Sequence, residues 1–164
     1  MNLPGTLTIT EVDIGGFFIN ELFRRKFSAD APSVGRHLIM FHRTAEGAIR
    51  AVCYAHFMPF GDIMLVGGVC TDGDVIRQMT DQEQAALRAA GGAYHLLLRH
   101  GFQHFAADCE AFFGYCGDAR AEQVNLMSGF EKTQHEYLLV NFHKDVHPVM
   151  QRALIAKAAA IGPF

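Results

Sequence analysis

Tryptophan is absent from this sequence and proline occurs only five times, so the aromatic bulk rests mainly on 14 phenylalanines. There is no run of basic residues that could follow a phosphate backbone, and 14 Lys and Arg against 17 Asp and Glu leave a net charge of -3. No nucleic-acid partner is expected from that balance. No apolar run reaches the roughly 18 residues that a helical membrane span needs. The opening MNLPGTLTIT has neither the charged start nor the apolar core of a secretory leader, so the expectation is a cytoplasmic protein with no membrane partner.

The spacings of metal chemistry are missing as well. Cys53, Cys70, Cys109 and Cys116 lie 17, 39 and 7 residues apart, which suits neither a CxxC zinc pair nor a compact disulfide framework and reads as reduced, mostly buried thiols. Nine histidines are scattered with no HxH or HExxH pair, so no metal is expected. Internal repeats and low-complexity tracts are lacking too. What is present is apolar: 50% hydrophobic residues against 19% charged can bury a sheet or a subunit interface, consistent with a homodimer. A chain of 164 residues fits one domain, 1–164.

Along the chain, TLTITEV from Thr6 to Val12 alternates in the period of a half-buried strand. Apolar residues from Ile14 to Phe27 fall at helical spacing, and SADAPSVG, Ser28 to Gly35, is a loop. HLIMFHRT, Ile49 to Phe57 and Ile63 to Cys70 read as a three-strand meander, with Pro59 and Gly61 ending its middle strand. Thr80-Asp81-Gln82-Glu83 is a capping box, so a helix is expected from there to about His100, with Gly101 as its stop. A fifth strand is expected within His104 to Tyr115, and Gly117-Asp118 opens a helix that Gly129 closes. A final strand lies within Phe130 to Phe142, and a last helix, 146–160, carries Pro148 in its first turn.

The order β-α-β-β-β-α-β-α-β resembles the GCN5-related N-acetyltransferase superfamily, and local residues add to the likeness. VCTDGDVIRQMTDQ, Val69 to Gln82, is similar to the end of that family's fourth strand and its pyrophosphate loop of the form Q/R-x-x-G-x-G/A. The helix end HGF, His100 to Phe102, leads into strand five. GDARAEQVNLMSGFEKT resembles N-x-x-A-x-x-x-Y-x-x-x-G-F, with Asp118, Ala121, Asn125, Gly129 and Phe130 on the motif positions. The likeness spans about residues 6–142 and implies an α/β acetyltransferase-like fold, a mixed central sheet flanked by helices. It also implies acetyl-CoA or another acyl-CoA as co-substrate and a small-molecule or peptide amine as acceptor.

Carried over by position, the resemblance places the coenzyme against Val69, Cys70 and Thr71, the run Arg77, Gln78, Met79, Thr80 and Gln82, and Asn125. Thr80 and Gln82 stand where the loop has small residues, and Asn125 stands where the family often has a thiolate-protonating tyrosine. Tyr115 could take that proton role, or another group or water. A second register, Arg88-Ala89-Ala90-Gly91-Gly92-Ala93, fits the written pattern better. A capped helix of about 30 Å from Asp81 favours Arg77, because only about 15 Å of helix would follow Gly91. As acceptor-side bases, Glu110 and His56 are titratable groups in otherwise apolar strands, with Asp62 a turn residue. Cys70 lacks an identifiable His or Asp partner and reads as a packed thiol. Phe17 and Phe18 either line an acceptor pocket or join the core. Two other readings remain: a non-catalytic binding domain of this fold, and an acyltransferase whose many phenylalanines line a tunnel for a longer acyl chain.

Overall fold

The computed structural model describes residues 5–164, and residues 1–4 lie outside that description. Seven strands form one mixed sheet: β1 (Leu7–Val12), β2 (Arg36–Arg43), β3 (Ile49–Phe60), β4 (Ile63–Thr71), β5 (Ala111–Tyr115), β6 (Glu131–Lys132) and β7 (Leu138–Asn141). Their order is β1-β2-β3-β4-β5-β7-β6. β1 runs antiparallel to β2, β4 parallel to β5, and β7 antiparallel to both β5 and β6. Six helices join them: α1 (Gly15–Phe27), α2 (Gly73–Gln78), α3 (Asp81–Ala89), α4 (Gly92–His104), α5 (Ala119–Ser128) and α6 (Pro148–Ile161). None of the described helices is long and apolar enough to cross a membrane.

The chain divides into two compact units, residues 1–56 with 68–97 and residues 57–67 with 98–164. In the first, Ile19, Leu22 and Phe23, spaced as one helical face of α1, bury against Ile39, Tyr54 and Cys70. Each such aliphatic or aromatic side chain contributes roughly 1.5–3 kcal/mol on burial. In the second, Leu154 and Ala158 of α6 cover Ile63, Leu65, Ala111, Phe113, Leu138 and Val140. Phenylalanine rings fill the rest, with Phe57 against Phe105 at 4.8 Å, Phe102 against Phe112 at 4.8 Å and Phe102 against Phe130 at 5.2 Å. Phe57, Phe105, Phe112 and Phe113 are fully buried.

The largest departure from the sequence reading lies between β4 and β5. The capping box is present, with Thr80 and Glu83 exchanging side-chain and backbone bonds, but its helix stops at Ala89. Gly91 and Gly92 take φ of +92° and +90°, a left-handed conformation that breaks the helix and is open chiefly to glycine. α4 then runs straight through Gly101. A Cβ at Gly101 would lie 2.3 Å from Cζ of Phe57, so this glycine serves packing and not termination. α4 ends at His104 and a 3-10 turn spans Ala106–Asp108, which delays β5 to Ala111. α2 was not expected; Asp72 caps it, accepting from the amides of Asp74 and Val75. β3 passes through Pro59 to Phe60, and the last strand divides into β6 and β7.

Candidate functional site

β4 pairs with β5 from Ile63↔Ala111 to Val66↔Gly114, and β4 then runs on to Thr71. Two residues past the last pair, Gly68 has a φ of +57°. A Cβ there would stand 3.1 Å from the Phe23 ring of α1, so α1 presses on the strand where only glycine fits. Val69 is half-buried, Cys70 is buried, and the Thr71 hydroxyl lies 3.2 Å from Cys53 Sγ. Burial pushes the thiols of Cys53, Cys70 and Cys109 up to about 12, so they stay protonated and are poor nucleophiles at neutral pH. All four cysteines are free and buried.

Just beyond, Thr71 and Arg77 meet at a cavity of about 230 Å³ that also involves Leu22, Arg25, Lys26, Asp72, Gly73 and Asp74. Its charges are largely internally paired. Arg25 binds Asp72 at 2.7 Å and Asp74 at 3.5 Å, and Arg77 binds Asp74. Gln78 is exposed at the end of α2, and Met79 is buried with its carbonyl held by Gln84 at 2.9 Å.

Two helix starts follow, and they differ in what they offer an anion. At α3 the Thr80 amide donates to Glu83 Oε2 at 2.9 Å and the Glu83 amide donates to Thr80 Oγ1 at 3.2 Å. Asp81 and Glu83 both sit in the first turn and Gln82 is exposed. The Glu83 carboxylate also takes bonds from Thr6 at 2.6 Å and from His42 at 3.1 Å. These bonds, the Thr6 hydroxyl first, hold its pKa down at about 2. This start is occupied and carries negative charge. At α4 there is no acidic residue in the first turn, and the first-turn amides of any helix have no intrahelical acceptor. A Cβ at Gly92 would meet nothing within 4 Å, whereas one at Gly91 would lie 2.6 Å from His95. Arg88 is exposed one turn ahead, and it makes no ion pair among the described residues.

In the second unit, Tyr115 at the end of β5 lines a cavity of about 240 Å³ with His135, Glu136, Leu138, Ala158, Ala159 and Gly162. The turn before β7 is built on Thr133, whose hydroxyl donates to the Leu138 carbonyl at 2.9 Å and accepts from the His135 amide at 3.1 Å. Tyr137 closes this turn with a φ of +64°. The sequence reading missed His135 and Glu136, which lie in a polar turn with no motif to mark them.

Of the residues proposed as bases, His56 belongs to the first unit and Glu110 to the second. His56 is buried with Nε2 donating to the Val34 carbonyl at 2.7 Å, and burial lowers its pKa. Glu110 precedes β5 on the surface and pairs with Lys144 at 2.9 Å, while Asp62 pairs with Lys157 at 2.6 Å. Asn125 is buried in α5, and its side chain bonds Cys116. Phe17 and Phe18 are 82% and 46% exposed, so neither belongs to the core. No group of three or more potential metal ligands converges among the described residues.

No protein-family model matches the chain, and no curated protein matches it by sequence. Solved structures do match. The ribosomal-protein-S18-alanine N-acetyltransferase from Escherichia coli superposes with a TM-score of 0.56 at 12% identity, over 87% of this chain and 97% of that one. An acyl-CoA N-acyltransferase from Pseudomonas aeruginosa superposes with a TM-score of 0.52 at 12% identity, over 82% of this chain and 97% of that one. Seven mixed strands with their helices, together with these likenesses, give the chain the acyl-CoA N-acyltransferase fold.

Proposed function

We propose that the chain is an N-acyltransferase that takes acetyl-CoA, or another acyl-CoA, and passes the acyl group to an amine. The observation that carries this reading is the start of α4: two left-handed glycines lead into a 13-residue helix behind Arg88, which makes no ion pair among the described residues. Backbone N–H groups with partial positive charge can hold a pyrophosphate there, and the open space over Gly92 lets a ligand reach the backbone. The pyrophosphate register is therefore Arg88–Ala93. Two findings support the shift from Arg77–Gln82: the occupied amides of Thr80 and Glu83, and the carboxylates of Asp81 and Glu83 beside them. The helix length that favoured Arg77 no longer does so, since α3 and α4 are separate. Val69, Cys70 and Thr71 keep the place beside the coenzyme that the resemblance gives them.

Within the second unit, the cavity of Tyr115, His135 and Glu136 has the chemistry that an amine acceptor needs. Its Glu136 carboxylate suits a cationic amine, and His135 can take the proton the amine must lose. The amine nitrogen bonds the thioester carbon, the C–S bond breaks, and CoA leaves as a thiol. Four free thiols fit a reducing cytoplasm.

Isothermal titration with CoA and acetyl-CoA, paired with thiol release in the presence of small amines and peptide N-termini, tests the reading. Binding of CoA with amine-dependent thiol release is expected. Absence of CoA binding at millimolar concentration overturns it, and binding without transfer to any amine would leave a ligand-binding domain of this fold.

A further inference from the structure

Two histidines are buried side by side beneath the first helix. His37 on β2 is 1% exposed and His56 on β3 is 8% exposed, and their rings stack with centroids 5.5 Å apart. Nδ1 of His37 lies 2.9 Å from the Tyr54 hydroxyl. The Val34 carbonyl can only accept, so Nε2 of His56 carries the proton of their 2.7 Å bond. That bond ties the loop before β2 to β3.

The pair is fitted closely into its surroundings. A Cβ on Gly15, the first residue of α1, would fall 2.7 Å from His37 Nδ1, and one on Gly68 would fall 3.8 Å from His56 Cβ. The ionisable groups around the pair give little to hold a positive charge. Glu11 on β1 favours the charged form of His37, but its carboxylate is bound at 2.7 Å by Arg36. Tyr54 from β3 and Cys70 from β4 are neutral, both with pKa values raised by burial.

We propose that His37 and His56 form an acid-sensitive latch, which holds the segment Asp30–Gly35 and the start of α1 on the sheet while both rings are neutral and releases them on protonation. Two cations at this separation in a desolvated site repel one another, and neither can gain water without lifting the covering segment. That segment is suited to lifting. Its residues are exposed or half-buried, and besides the Val34 bond it is tied down by Ala31, which packs on the core beneath α1 and donates its N–H to Asn20 at 2.9 Å, and by the exposed Arg24–Asp30 pair at 2.5 Å. Burial lowers the pKa of both rings. The neutral forms therefore contribute stability that is complete above the unfolded-state value near 6.5 and is lost as pH falls below it.

Hydrogen–deuterium exchange on the whole protein, corrected for intrinsic exchange rates, tests the latch without any coenzyme, so its outcome is separate from the acyltransferase reading. Peptides covering residues 12–20 and 28–36 should gain exchange below pH 6.5 by about tenfold per pH unit for each proton taken up. Peptides of α5 and α6 should hold their protection. His56→Gln keeps an N–H for the Val34 carbonyl but cannot charge, so it should weaken that pH dependence. Exchange of the two segments that is flat with pH, or that rises together with α5 and α6, overturns the proposal. Should His56→Gln fail to fold, the imidazole carbon-bound protons of the wild type serve instead: both rings must titrate below 6.5, and an ordinary titration of either overturns the latch.

Discussion

α3 and α4 start eleven residues apart and follow one another in the chain, yet their first turns differ in capping and charge. α3 is sealed: Thr80 and Glu83 satisfy each other, and the glutamate reaches on to Thr6 and His42. The start of α4 carries two left-handed glycines and no acid in its first turn, and the Gly91 amide donates to the Arg88 carbonyl at 3.0 Å. A capped helix start stabilises the fold, and a start without acidic side chains keeps the favourable end of the helix dipole for an anion.

Charge reversal should break this contrast most sharply. Arg88→Glu is expected to weaken CoA binding at least about a hundredfold, about 2.7 kcal/mol, while Arg77→Glu, whose guanidinium is already paired with Asp74, should stay within about twofold by calorimetry. The body of α4 comes next. Gly101→Ala forces a Cβ into the Phe57 ring, which Phe105 and Phe112 hold in place, so denaturant unfolding should show a loss of about 2 kcal/mol. Thr80→Ala should cost about 1 kcal/mol of stability and leave CoA affinity unchanged if the proposed coenzyme site at the start of α4 holds. The smallest effect concerns pH. The depressed Glu83 carboxylate contributes stability that is present above its ordinary value near 4.5 and is lost as pH falls toward about 2. Glu83→Gln should therefore flatten the fall of melting temperature in that window and leave the fall just below 6.5 intact.

The elements that local chemistry specifies were readable from sequence. The capping box of Thr80, the Asp118 and Gly129 ends of α5, and Pro148 at the start of α6 all act within a few residues of themselves. Gly101 was misread because a glycine's meaning depends on what lies opposite it, here a phenylalanine 44 positions away in the chain. Gly91-Gly92 was visible as a costly pair inside a helix, but only the φ values show that the pair ends one helix and opens another. The candidate site was legible in part for the same reason. Arg88 through Ala93 carried the motif, whereas His135 and Glu136 join Tyr115 only through the turn that Thr133 builds.

Amide chemical shifts during a titration of unlabelled CoA into the nitrogen-15-labelled protein would test most directly which helix start receives the pyrophosphate. The account predicts that the amides of Gly91, Gly92 and Ala93 shift progressively to saturation while those of Thr80, Asp81 and Glu83 stay in place. Shifts confined to Thr80–Glu83, with the glycine pair unmoved, would contradict it.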